Sequence, residues 1–323
     1  MAALVLSNKG RWWLCSVAMA LALLVAGCKG PERPEKAEAQ KEGAPADPRE
    51  ALEKRPFRLV VDGGADGPTN KAVDEAIAEA TVAGHAPPTL RFYGWQPPCL
   101  SLGRNQSFAE VDAARCAVHG YHIVRRPTGG RAILHTDELT YSVAGPADEP
   151  MLHGGVLEVY HRISAGLLAG LRRLGIEAQE TPVHSRTGAD ASAACFEVPS
   201  AHEITVDGRK LVGSAQCRRG GWVLQHGSLP LRGDVARIVD GLAFDDEGKR
   251  ETLRQALRRR AITVAQALGR EVSLAEAAQA LAEGFAAVLN LTLVPGELTA
   301  WERARAAELR EMKYGSASWT QRR

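Results

Sequence analysis

The chain carries no surplus of charge of either sign: 40 Lys+Arg stand against 38 Asp+Glu, a formal net charge of +2 over 323 residues. Without a broad field, binding to nucleic acid or to a generally acidic partner has no long-range support, and any anion recognition must be local. There is no internal repeat and no nucleotide fingerprint of the GxGxxG or GxxxxGK[ST] kind. The six cysteines include no CxxC pair and no zinc-like spacing with histidine, which argues against a structural metal. The longest apolar run, residues 12–26, is too short for a comfortable membrane span.

That run is the centre of something else. Lys9 and Arg11 precede it, and it closes on Leu24, Val25, Ala26, Gly27 and Cys28. A positive start, a short apolar centre and small residues before a cysteine are the plan of a bacterial lipoprotein signal over residues 1–28, with Cys28 the lipidated new N-terminus. The alternative is a start assigned too far upstream of a cytoplasmic protein. Residues 29–56, rich in Lys, Glu, Pro and Ala, read as a disordered linker. A used signal implies a membrane-anchored lipoprotein that meets the membrane only through this anchor. Cys15 and Cys28 fall in the signal. Cys99, Cys116, Cys195 and Cys217 can form disulfides in an exported protein, or one can be a reactive thiol in a reducing compartment.

From Phe57 onward, strand-like and helix-like stretches alternate. FRLVVD reads as a strand, and Thr69 is expected to cap a helix with Ala72, Val73, Ala76, Ile77 and Ala80 on its apolar face. TLRFYGW alternates as a half-buried strand. Ser107 and Glu110 form a capping-box pattern for a helix carrying Val111, Ala114 and Val118, stopped by Gly120. Short strands flank the Gly129-Gly130 turn, and a helix over 155–174 carries Val156, Val159, Ile163, Leu167, Leu171 and Leu174 on one stripe. HEITVDGRKLVGSAQ is a hairpin about Asp207-Gly208, and WVLQHGSLPL is the next strand. The fold class is α+β, a mixed sheet with flanking helices. Residues 57–233 form the main domain, and 234–323 a small helical appendage, with Ser273/Glu276 and Thr299/Glu302 as further capping boxes.

Two constellations carry chemistry. In Arg125-Arg126-Pro127-Thr128-Gly129-Gly130-Arg131 the glycines let a ligand lie against the main chain, and the arginines offer forked donors to phosphate or carboxylate. The bland alternative is a Gly-Gly hairpin with solvated arginines. Downstream, Cys195 stands fifteen residues before Lys210. An unperturbed thiol, with a pKa of about 8.5, is mostly protonated at neutral pH; a nearby ammonium favours the thiolate, and a neutral desolvated lysine could take its proton. Taken singly, Cys195 is equally a small buried hydrophobe and Lys210 a solvated strand residue. His135 and His226 can line a pocket or simply pack. Gly213, Ser214 and Ala215 are small enough to floor a tunnel for an extended chain, or to serve strand packing.

Five blocks, in order, resemble the lipoate and octanoate transferase and ligase superfamily: FRLVVDGGADGPTNKAVDEAI, PTLRFYGWQPPCLSLGRNQ, RRPTGGRAILHTDELTYSV, ACFEVPSAHEITVDGRKLVGSAQCRRGGWVLQHGSLPL and KYGSASWTQRR. The resemblance implies a biotin/lipoate ligase-like catalytic fold whose Arg-Gly-Gly loop and lysine strand enclose a narrow acyl tunnel. ACFEVPS is similar to the cysteine-dependent octanoyltransferases and puts Cys195 at their nucleophile, while Arg131 replaces the ligases' third glycine. The activity implied is transfer of an octanoyl or lipoyl group from acyl carrier protein, through a Cys195 thioester, to a lysine of a lipoyl-carrier domain (glycine cleavage H protein or a 2-oxoacid dehydrogenase E2). Lys210 would contact the acyl carbonyl and stabilise its oxyanion. No cofactor or metal is needed; ATP and magnesium enter only for a lipoate-protein ligase. An amidotransferase between carrier proteins and a non-catalytic anchored binding lipoprotein are the other readings, the last because carrier protein and ATP are cytosolic supplies. Two positions depart from the pattern: Lys71, where an apolar residue is common, and Ala201-His202, where an aromatic pair is common.

Overall fold

Strand β1 (Arg55–Ala65) begins just ahead of Phe57, so the linker ends slightly sooner than its composition suggests. The structure, a computed structural model, describes residues 54–180 and 203–322. The signal with Cys28, nearly all of the linker, Cys195 and Ala201-His202 lie outside the described residues. After β1 come α1 (Gly67–Val82), β2 (Thr89–Trp95), β3 (Cys99–Leu102), α2 (Ala113–Val118), β4 (His122–Arg125), β5 (Ile133–His135) and β6 (Glu138–Pro146). Then follow α3 (Val156–Arg173), β7 (Gln179–Glu180), β8 (Ile204–Val206), β9 (Arg209–Arg219) and β10 (Trp222–Pro230). The remainder holds α4 (Glu247–Arg260), α5 (Val264–Leu268), α6 (Leu274–Val288), β11 (Leu291–Pro295), α7 (Ala300–Leu309) and α8 (Ala317–Thr320).

Eight strands form one mixed sheet in the order β11-β1-β2-β6-β10-β9-β8-β7. Strand alternation divides its side chains between two layers. Leu90, Phe92, Tyr141 and Val143 join α3 and α6 in one core, while Tyr93, Trp95, Trp222 and Leu224 join α1 in another. Because both faces are covered, all seven residues of β2 are buried, and the half-exposed strand expected from its alternation is not found. A smaller sheet, β4-β3-β5, carries the Arg-Gly-Gly loop between two of its strands.

Local signals decide the helix ends. Asp66, not Thr69, caps α1: its Oδ1 accepts the Thr69 amide at 2.8 Å. Ser107 caps only a single 3-10 turn, Phe108–Glu110, and Asp112 starts α2 afresh. Helix α3 matches its stripe except at Val156, which is exposed in the first turn. The region past residue 234 is not an appendage. Its strand β11 pairs in parallel with β1 at the sheet edge, from Arg55 opposite Leu291, and Phe285 of α6 is fully buried in the core. Glu302 of α7, also buried, accepts both Arg58 guanidinium nitrogens at 2.8 and 2.5 Å.

Candidate active site

The hairpin β8–β9 is irregular, and the irregularity aims Lys210. Ile204 pairs with Val212 but Thr205 pairs with Lys210, so one extra residue is accommodated in β9. In a regular strand Lys210 and Gly213 would face opposite sides. The bulge instead turns the Lys210 side chain onto Gly213: a Cβ added there would lie 3.2 Å from Nζ. Lys210 is buried and ion-paired with buried Glu203. Asp207 and Gly208, at φ +50° and +73°, make the tight turn that the Asp-Gly pair predicts.

Gly213, Ser214 and Ala215 of β9 and His226 of β10 line a pocket with about 480 Å³ of empty space, together with Arg126, Gly130 and His135. Seven of the residues picked out in the sequence therefore meet at one place. The Ser214 hydroxyl is held by the Tyr141 hydroxyl at 2.6 Å. The loop is built on close backbone approach: a Cβ on Gly103 would lie 1.9 Å from the Gly130 carbonyl oxygen, and Gly130 itself has φ +91°. Arg126 is spent on holding the loop, donating to the carbonyls of Ser101, Gly129 and Arg131 at 2.9, 2.8 and 2.7 Å.

Other loop residues do different work from that expected. Arg125 is fully buried and donates to the carbonyls of Gly103 and Gln106, at 2.8 and 2.6 Å, and of Thr320 and Arg322, at 2.9 and 3.1 Å. It fastens the C-terminus to the loop instead of offering a fork to a ligand. Arg131 pairs with Glu110 at 3.1 Å. Gly129 is exposed and adds only its carbonyl to the Arg126 clamp. Thr128 is buried behind the pocket, its Oγ1 2.8 Å from His226 Nε2.

A charged network, seen in the sequence only as the departure at Lys71, backs the pocket. Lys71 lines it, 1% exposed, and donates to the Tyr93 hydroxyl at 2.9 Å and to Asp74 Oδ2 at 3.4 Å, with His226 Nδ1 at 3.3 Å. Asp74 Oδ1 accepts from Arg91 Nη1 at 2.8 Å and the Ser142 hydroxyl at 3.0 Å; its Oδ2 accepts from the Tyr93 hydroxyl at 2.7 Å. Burial pushes the Lys71 ammonium down to about 8 against the pull of Asp74, with Arg126 and Arg91 adding to the fall. Burial alone would raise Asp74, but Lys71, His226 and Arg91 outweigh it and hold the carboxyl far below its ordinary range. Burial and the Lys71 charge press His226 down to about 3, so it is neutral at physiological pH.

His135 is fixed on three sides. It stacks on Trp95 at 3.8 Å between ring centroids, with Nε2 2.7 Å from Ser101 Oγ and Nδ1 2.8 Å from Glu138. Burial lowers its pKa despite Glu138. Glu138 is buried and also accepts the hydroxyls of Thr140 and Ser228, both pocket residues. Cys99, Cys116 and Cys217 are free thiols; burial raises Cys99 well above its ordinary value and Cys116 to about 11, neither poised as a nucleophile.

The lipoyl protein ligase A/B catalytic domain model matches residues 66–286, a span that contains the loop, the bulged hairpin and the pocket. The chain belongs to the lipoyl protein ligase A/B catalytic domain family. Within the family it is 47% identical over 278 residues to the octanoyltransferase LipM of Symbiobacterium thermophilum, covering 83% of this chain and 98% of that protein. It is 37% identical over 280 residues to the octanoyltransferase LipM of Bacillus subtilis, covering 84% and 100%. Among solved structures it is similar to a bi-partite lipoate protein ligase of Thermoplasma acidophilum, with a TM-score of 0.69 at 24% identity over 83% of this chain and 97% of that one. A lipoate-protein ligase A bound with ATP gives 0.68 at 24% identity over 82% and 98%. These structural likenesses establish the mixed α+β family fold. Lys71 lines the pocket here, and the Lys210 side chain reaches Gly213 in its wall.

Proposed function

We propose that this chain is an octanoyltransferase that takes an octanoyl or lipoyl group from acyl carrier protein and passes it to a lysine of a lipoyl-carrier domain. The observation that carries this reading is the bulge that turns buried Lys210 onto Gly213, one of the residues, with Ser214 and Ala215, that line the pocket. Similarity to proteins named octanoyltransferase supports it. In the first step the Cys195 thiolate attacks the donor thioester carbon, a new carbon–sulfur bond forms, and the carrier's thiolate leaves and is protonated. In the second, the acceptor amine attacks the same carbon, the amide forms, the amine loses a proton, and the Cys195 thiolate departs. Both steps pass through an oxyanion that a fixed ammonium at the carbonyl end of the pocket would stabilise. Neither step consumes ATP.

The test is acceptor acylation with two supplies. Octanoyl-acyl carrier protein alone should octanoylate an apo lipoyl domain. If acylation required free lipoate or octanoate with ATP and magnesium, the ligase reading would replace this one. We also propose, from the sequence pattern at residues 24–28, that Cys28 is lipidated and anchors the protein; mass spectrometry of the mature N-terminus should find a diacylglyceryl Cys28, and an unmodified start beyond it would refute the anchor.

A further inference from the structure

We propose that Glu203 is a positioning residue that holds Lys210 in place as a charged ammonium, so that Lys210 serves the acyl group by attraction and not by taking a proton. The inference deepens the acyl-transfer reading and rests on it for what Lys210 faces. Lys210 is held from three sides. Its backbone carbonyl accepts the Ile262 amide at 3.0 Å, and its backbone bridges Ala261, in the turn between α4 and α5. Its stem lies along Gly213, where an added Cβ would be 3.0 Å from Cε and 3.2 Å from Nζ. Its ammonium donates to Glu203, the residue just before β8, and the two side chains are only 3% and 4% exposed.

The hairpin register brings the pair together: Thr205 is opposite Lys210, and Glu203 is two residues before it. A lysine amine ordinarily holds its proton about six pH units more tightly than a glutamate carboxyl, so their contact is ionised unless burial outweighs the attraction between the charges. Lys71 marks what burial does where the carboxylate is divided. Asp74 meets it at 3.4 Å while giving 2.8 Å to Arg91 and 2.7 Å to the Tyr93 hydroxyl, and burial takes that ammonium down to about 8. Glu203, by contrast, is in direct contact with the Lys210 ammonium. An ammonium has no lone pair and cannot accept the proton of an attacking thiol. That thiol gives its proton to water; the ammonium attracts first the thiolate and then the charge developing on the carbonyl oxygen, and is itself unchanged when the acyl group leaves.

Steady-state transfer from octanoyl-acyl carrier protein to an apo lipoyl domain, measured on a double-variant cycle of the full chain, tests this. Glu203→Gln should lower kcat by about ten- to a hundredfold, less than the roughly 10²–10³ of losing an oxyanion donor outright, with KM within about twofold. Glu203→Asp should recover part of the rate. In a Lys210→Ala background Glu203→Gln should cost nothing further, because the carboxylate acts through the ammonium. Were Lys210 a base, removing the carboxylate would free its lone pair and kcat would hold or rise; that result overturns the proposal, as does an equal loss in both backgrounds. Melting temperatures read the pair without turnover. Glu203→Gln combined with Lys210→Met should melt above either single variant, since each single change strands a buried charge, and a double variant that fails to exceed both overturns the proposal. If acylation occurs only with free acid and ATP, the transferase reading fails and the same cycle is scored on that rate. If neither supply gives product, that reading fails and the melting order alone decides the proposal.

Discussion

Asp74 is the residue on which the site's electrostatics turn, because one buried carboxylate faces the Lys71 ammonium and the Arg91 guanidinium. Asp74→Asn keeps the shape but leaves the buried Lys71 ammonium without its carboxylate and Arg91 with Asp62 alone, and should cost about 3–5 kcal/mol of stability in urea unfolding. Adding Lys71→Met to Asp74→Asn should recover part of that loss, a non-additivity expected of residues in direct contact. His226 sets the acid limit. Its folded pKa of about 3 lies below the ordinary histidine value of 6.5, so between those values the unfolded chain binds a proton that the folded one does not. Stability therefore falls as pH drops from 6.5 toward 3, with a slope of about 1.4 kcal/mol per pH unit from this one group. His226→Gln should flatten that slope by one proton in a series of urea midpoints taken across the range.

At the scale of elements, two close approaches and one bulge decide the geometry. Helices α3 and α6 cross with Gly170 against Gly284: a Cβ on Gly284 would sit 2.2 Å from the Gly170 amide nitrogen. Gly→Ala in a helix interior ordinarily stabilises by about 0.5–1 kcal/mol. Gly284→Ala should instead destabilise, by about 1–3 kcal/mol, because the helices must part; thermal unfolding decides the sign. Gly213→Ala should lower acyl transfer more than it lowers the melting temperature, since the added methyl meets the end of the Lys210 side chain, 3.0 Å from Cε. The sequence foresaw α3 and the Asp207-Gly208 turn, because helical periodicity and turn chemistry are local. It did not foresee the bulge at Lys210, which is set by pairing with β8, nor β11 at the sheet edge, whose partner β1 is more than two hundred residues away. Seven pocket residues are legible from the loop and hairpin blocks, whereas the work of Arg125 is not, as its carbonyl partners come from the separate 103–106 turn and the far C-terminus.

Across the whole molecule, the last residues fasten the strand end from which the Arg-Gly-Gly loop begins. Trp319 donates its indole N–H to the Arg125 carbonyl at 2.8 Å, and Arg125 in turn donates to the Thr320 and Arg322 carbonyls. Removing residues 316–323 should cost a few kcal/mol, at about 1.5–3 kcal/mol for a hydrogen bond to a charged group, and should expose the 126–131 loop to limited proteolysis. The central claim, acyl transfer through a thioester, is tested most directly by mass. Incubated with octanoyl-acyl carrier protein without ATP, the intact chain should gain one octanoyl group, lost in Cys195→Ser and weakened in Lys210→Ala. An adduct that persists in Cys195→Ser, or none on the wild type while it still acylates a lipoyl domain, would contradict the account.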